Sequence, residues 1–352
     1  MINIILDNII FSLQKAGGIS VVWQHLVENL LKTQDDLRLI EYGNASQNIF
    51  RQQLRIPQTN LMPAERFNKL FSQLKHPTVT SDKPFIFHSS YFRTCRHPHA
   101  VNITTVHDFI YEQGAPTWRQ RFRIRLNYNA IRNSAAVVCI SRNTKNDLFR
   151  FLPDIPPEKV HVIYNGVSED YHPLGASPYP RYRDHVLFVG GRHGYKNFDF
   201  VVRALTATRY KLLICGAPLN REETAMLDKL LKDRYTHIKF PTNDQLNDIY
   251  NSVHCLAYPS SYEGFGIPVL EAQRAGCPVL ALSASSIPEI IGDHALLMPR
   301  LSEKSFLSLL HVADDPEQRA QVIASGIANA KRFSWEKMAQ AYLDLYKQLL
   351  NK

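Results

Sequence analysis

The 352 residues, 45% hydrophobic and 21% charged, give enough apolar surface for a sizeable buried core and a length that suits about two domains. Fifteen Gly and 20 Pro without a fixed period exclude collagen-like and low-complexity chains, and five cysteines (Cys95, Cys139, Cys215, Cys255, Cys277) with no C-x-x-C pair suggest reduced core thiols, not a disulfide framework or thiolate zinc site. The net charge of +9 is uneven, with 20 basic and 14 acidic residues in 1–170 against 21 and 18 in the remainder; lacking zinc-finger spacing, an RNP sequence or a basic zipper, it does not point to nucleic acid.

The opening MINIILDNIIFSLQ has no basic lead and is broken by Asp7 and Asn8, so it predicts a buried first strand, not a secretory segment. No apolar run approaches the ~18–20 residues of a membrane span. The expected location is therefore cytoplasmic. Next come Gly17 and Gly18 and a helical pattern opening with Ser20. Apolar runs at 86–90, 102–108, 136–141 and 160–166 alternate with helical segments, the pattern of a parallel sheet covered by helices. One of these segments holds Arg119, Arg121, Arg123, Arg125 and Arg132 among Phe122, Ile124, Leu126 and Ile131; it reads either as a solvated face or as a basic helix lying on anionic lipid at the inner membrane face.

A stretch rich in Pro, Gly and Tyr after Asn165-Gly166 marks a linker, and the pattern restarts with strands at 185–191, 210–216, 237–241, 254–260, 278–283 and 295–299. Residues 334–350 space Trp335, Met338, Tyr342, Leu345 and Leu349 on one helical face. The expected architecture is α/β, with Rossmann-like doubly wound domains over 1–170 and 171–333 facing each other across a ligand-binding cleft.

Within SSYEGFGIPVLEAQRAGCPVLA (260–281) a buried strand runs through a glycine-bearing loop into a helix with Pro268 in its first turn. Gly264 and Gly266 clear the approach, so the amides of Phe265, Gly266 and Ile267 can meet an anion at the helix N-terminus. Glu263 and Glu271 flank this cradle; carboxylates accept from vicinal hydroxyls, so they can take the two sugars on either side of a diphosphate. On the residues alone, solvation of Glu263 and dipole pairing of Glu271 stand beside that reading. In LFVGGRHGYKN, Arg192 and Lys196 follow a strand end and can neutralise a diphosphate leaving group, or simply be loop cations. Gly17 and Gly18 fit a phosphate approach or an ordinary turn. His107 ends a strand, which singles it out from His88, His161 and His254.

Taken together these segments resemble the family 4 glycosyltransferases, retaining enzymes of the GT-B fold. The matches are GGIS (17–20), TVHD (105–108), CISRNTKNDL (139–148), VIYNGV (162–167), GGRHGYKN (190–197), the E-x7-E element at Glu263 and Glu271, and FSWEKMA (333–339). The resemblance implies a nucleotide-sugar donor bound by the second domain, with Glu263 on the sugar, Glu271 on the ribose, Arg192 and Lys196 on the diphosphate, the amides of 265–267 on phosphate oxygens, Gly17 and Gly18 near the distal phosphate, and His107 near the sugar. It implies an acceptor domain over 1–170, with the helix of 334–352 packing back on it, and a glycan or lipid-linked acceptor. The added His193-Gly194-Tyr195 has no assigned role. No D-x-D occurs, so neither a metal nor another cofactor is expected. UDP and GDP, and glucose- and mannose-type sugars, stay open; loops near Ala217-Pro218 and Thr242-Asn243 are expected to read the base. A nucleotide-sugar epimerase, a glycosidase using the two glutamates, and a non-catalytic nucleotide-sugar-binding module are the alternatives.

Overall fold

The computed structural model describes residues 2–63, 72–192, 194–293 and 296–351. The chain forms two compact units, Met1–Gly166 with Trp335–Lys352, and Val167–Ser334. The linker composition belongs to the second unit: its backbone is held by Asn247 Oδ1, which accepts from His172 N at 3.0 Å, and Asn251 Oδ1, which accepts from Leu174 N at 2.7 Å.

The first unit is built on six parallel strands, β1 (Ile4–Asp7), β2 (Leu37–Ile40), β3 (Phe85–Ser89), β4 (Ala100–Val106), β5 (Ala136–Cys139) and β6 (Val160–Val162), in the order β2-β1-β3-β4-β5-β6. β1 and β3 are buried along their whole length, consistent with a sheet covered on both faces. Helix α1 (Gly18–Thr33) starts two residues before Ser20, whose buried hydroxyl accepts instead from Gln14 Nε2 (2.8 Å) and Asn48 Nδ2 (2.9 Å). Helix α2 (Trp118–Arg132) carries the basic segment, with a capping box at Thr117 and Gln120. Its arginines are exposed and Phe122, Ile124 and Leu126 half-buried, so the intended apolar stripe is diluted around the helix.

The second unit repeats the plan with β7 (His185–Val189), β8 (Lys211–Gly216), β9 (Tyr235–Lys239), β10 (Cys255–Tyr258), β11 (Val279–Leu282) and β12 (Leu296–Met298), all parallel in the order β12-β11-β10-β7-β8-β9. Ala295, expected in the last strand, lies outside the described residues. The helices that matter for the site are α3 (Arg221–Leu230), α4 (Asn243–Tyr250) and α5 (Ile267–Arg274). Since β7 leads outward to β8 and β9 while β10 returns to its other side, the winding reverses between β7 and β10. Crevices at such reversals, beyond the carboxyl ends of the strands, are where doubly wound sheets bind ligands.

The final helix, α6 (Trp335–Leu350), packs in the first unit. Trp335 stacks on His25 of α1 with ring centroids 4.4 Å apart, and Tyr346 and Tyr342 reach polar partners: the buried His88 Nδ1 at 2.6 Å and the half-buried Thr105 Oγ1 at 2.9 Å. Leu349, expected on this face, is half-buried, while Tyr346 is fully buried. All five cysteines are buried free thiols. No helix among the described residues is long and apolar enough to cross a membrane.

Candidate functional site

The two loops that leave β7 and β10 are stitched together. Asn197 Nδ2 donates to Pro259 O and Ser261 Oγ, both at 2.7 Å, and Ser261 N donates to Tyr195 O at 2.8 Å. Asn197 adopts φ 53°, a left-handed conformation that asparagine tolerates better than most residues. This tie brings together residues more than sixty positions apart in the chain: Lys196 and Glu263 form a half-buried ion pair, with Lys196 Nζ also 5.4 Å from the ring centres of Tyr195 and Tyr258. Burial holds the Tyr258 phenol strongly protonated, and its hydroxyl lies against the same carboxylate, which adds to the effect.

Arg192 is placed differently from Lys196. Its nearly buried guanidinium donates from Nε and Nη2 to the two oxygens of Glu223 (2.8 and 3.1 Å) and from Nη2 to Pro218 O (2.8 Å). Glu223 is the third residue of α3 and also closes a capping box with Asn220, so a helix start fixes the arginine fork. Arg192 Nη1 is buried with no hydrogen-bond partner among the described residues. His193 lies outside them.

The loop into α5 is shaped by backbone conformation and by two serines. Gly266 caps the helix at φ 114°, a conformation that favours glycine, and a Cβ there would displace the tip of Ile287, whose Cδ1 lies 2.8 Å from that point. Ser286, fully buried, places its hydroxyl 2.9 Å from Glu263 O and 2.8 Å from Phe265 O, and Ser285 Oγ accepts from Glu263 N at 2.8 Å. Phe265 itself is core, its ring edge-on to Phe333 at 5.8 Å. Helix geometry leaves Ile267 N–H without an intrahelical acceptor, at the positive end of the α5 dipole. Glu271, one turn on, accepts from Tyr250 Oη at 3.1 Å and faces the Tyr171 hydroxyl; burial pushes its carboxyl up to about 7, against the pull of those two phenols.

Two family models match in tandem: Glycosyltransferase Family 4 over residues 16–171 and Glycosyl transferases group 1 over residues 179–329. The chain is a family 4 glycosyltransferase. It is 25% identical over 290 residues to O-antigen chain mannosyltransferase B of Escherichia coli, an overlap of 76% of this chain and 75% of that one. Its structure is similar to that of Anabaena HepE in complex with UDP-glucose (TM-score 0.74, 16% identity, 99% of this chain and 100% of that one) and to that of WaaG, a glycosyltransferase involved in lipopolysaccharide biosynthesis (TM-score 0.70, 16% identity, 97% and 99%). The fold is GT-B.

In the first unit of the glycosyltransferase, Gly17 caps α1 in an extended conformation, and Gly18 has open space where a Cβ would stand. His107 lies just past β4, half-buried, and burial lowers its pKa to about 4, so the imidazole is neutral at physiological pH. It lines a cavity of about 240 Å³ with Gln14, Tyr91, Phe92, Asp108 and Arg123. His88, by contrast, is fully buried between Tyr346 and Thr105 (2.9 Å to Oγ1), a structural role. Among the described residues no group of three His, Cys, Asp or Glu side chains is disposed to hold a metal ion.

The glycosyltransferase site thus contains residues that the sequence did not single out: Glu223, Tyr258, Tyr250, Tyr171, Ser285 and Ser286. The serines lie just past β11, at 285 and 286.

Proposed function

We propose that the chain is a retaining, metal-independent hexosyltransferase. It moves a glucose- or mannose-type sugar from UDP or GDP to the hydroxyl of a glycan or lipid-linked acceptor, in polysaccharide or cell-surface glycan biosynthesis. The observation that carries this reading is the pairing of Lys196 with Glu263 in the stitched β7 and β10 loops. A diphosphate docked at the start of α5 competes with Glu263 for Lys196. The lysine then neutralises phosphate, and the released carboxylate accepts hydrogen bonds from sugar hydroxyls. Arg192 Nη1 and Ile267 N–H donate to phosphate oxygens. As the anomeric bond breaks, charge grows on the leaving phosphate, so these fixed donors stabilise the transition state more than the ground state. In this scheme the acceptor attacks from the leaving-group face and gives its proton to a donor phosphate oxygen, with Glu271 on the ribose.

The relatives support this choice of chemistry: the mannosyltransferase named above acts on an O-antigen chain, and HepE was solved with UDP-glucose. The neutral His107 in its cavity is assigned to the donor sugar, and Gly17 and Gly18 to the distal phosphate. The exposed arginines of α2, with Trp118 74% exposed, are assigned to a peripheral contact with anionic lipid on the cytoplasmic face.

The test is transfer from UDP- and GDP-linked glucose and mannose to a panel of glycan and lipid-linked acceptors, with the anomeric configuration of product read by NMR. Retained configuration with stoichiometric nucleoside diphosphate release, persisting in chelator, is expected. Lys196→Ala and Glu263→Ala should each lower kcat by about 30- to 1,000-fold, the equivalent of roughly 2 to 4 kcal/mol of preorganised charge contact. Inverted product, donor isomerised without acceptor, or wild-type turnover in both variants refutes the reading.

A further inference from the structure

We infer that Phe240 is the stacking platform for the donor's nucleobase; this deepens the donor reading above and rests on it. Phe240 is the first residue after β9, and its N–H donates to Gly216 O at 3.3 Å, so it sits across the carboxyl end of β8. Its backbone is in the left-handed region, at φ 44°, which a bulky side chain with a Cβ adopts only against a steric penalty. Its side chain is 69% exposed, so hydrophobic burial in the folded chain does not offset that penalty. A turn with no further demand on it is better served by glycine or asparagine. Strain of this kind, held beside a candidate site, is a reason to look for a ligand.

Phe240 belongs to the same sheet as the cradle, two strands out from β7. β8 and β9 lie one and two strand spacings out from β7, about 5 and 10 Å, which is the reach of a nucleoside from its diphosphate. The floor between is kept flat by glycine: Gly216, at φ 146°, has Gly190 O 2.8 Å from where a Cβ would stand. The ribose end is linked as well. The Tyr171 hydroxyl faces Glu271 and lies 3.3 Å from Asn243 Oδ1, three residues beyond Phe240 at the start of α4. A nucleotide with its diphosphate at Lys196 and its ribose at Glu271 therefore presents its base over the segment Phe240–Asn243. An aromatic ring meets the π-face that every base has, so Phe240 supplies affinity common to uracil and guanine.

The experiment is calorimetric titration of the full chain and its Phe240→Ala, Phe240→Gly and Phe240→Trp variants with UDP, GDP and inorganic pyrophosphate. Phe240→Ala and Phe240→Gly should weaken binding of the preferred nucleotide about tenfold, Phe240→Trp should hold it within about twofold, and pyrophosphate affinity should be the same in all four proteins. Because Phe240→Gly relieves the left-handed strain, its melting temperature should not fall while its nucleotide affinity does. Wild-type nucleotide affinity in Phe240→Ala overturns the platform alone, as does an equal loss of pyrophosphate binding. A wild-type chain that binds pyrophosphate but neither nucleotide, or none of the three, overturns the donor reading and the platform with it.

Discussion

Glu271 ties stability to pH in a direction opposite to that of an ordinary surface carboxylate. Burial lifts its pKa from 4.5 to about 7, with the Tyr250 and Tyr171 hydroxyls only partly opposing the rise. Between pH 4.5 and 7 the folded chain keeps a proton that the unfolded chain has released. The native state binds more protons in that window, so raising pH through it lowers stability. A rise from 4.5 to about 7 corresponds to about 3 kcal/mol, reduced to roughly 2 to 3 because the side chain retains some solvent contact. Glu271→Gln keeps the shape of the protonated acid and an oxygen for Tyr250, and it removes the titration. Urea denaturation of both proteins at pH 5 and pH 8 measures the effect. Near pH 5 the variant should lead by less than about 1 kcal/mol, and at pH 8 it should be more stable by about 2 to 3 kcal/mol. The same gap at both pH values, or a variant less stable at pH 8, would refute the claim that a desolvated carboxyl sits there. The same variant should bind the donor nucleotide more weakly at pH 8, because the ribose loses a charged acceptor.

Three further outcomes follow from the geometry. Gly266→Ala combines a positive-φ strain of about 1 to 2 kcal/mol with a forced shift of Ile287, so a loss of about 2 to 4 kcal/mol in urea denaturation is expected, together with loss of nucleotide binding. Ser286→Ala leaves the carbonyls of Glu263 and Phe265 without their buried donor, which should cost about 1 to 3 kcal/mol by the same assay and raise donor KM. Tyr346→Phe strips the buried His88 of a 2.6 Å partner; it should destabilise the first unit by about 1 to 2 kcal/mol, read from its hydrogen-exchange protection, while nucleotide affinity stays at the wild-type value.

Much of the fold could be read from local pattern because each signal spans only a few residues. The strand cores follow from short apolar runs, and the helix with Pro268 in its first turn and the terminal helix carrying Trp335 and Tyr342 from the 3.6 period and cap residues. Boundaries were less legible. The run at 160–166 pairs with β5 only through Val162, and His107 and Asp108 fall just beyond β4, because a strand ends where its neighbour stops offering partners.

Local pattern places glycines, two glutamates and two cations at strand-to-helix turns of a doubly wound chain, since turn chemistry and helix starts are local. Which of these groups meet depends on long-range strand pairing. Strand order put β10 against β7, so that Lys196 found Glu263 while Arg192 was held by Glu223 on α3. It also placed Tyr250 and Tyr171 over Glu271 and left Phe240 exposed at the end of β9. The physical reason is that parallel strands are joined by crossovers: neighbours in space are distant in the chain, and no short run of residues encodes the partner its side chains will face.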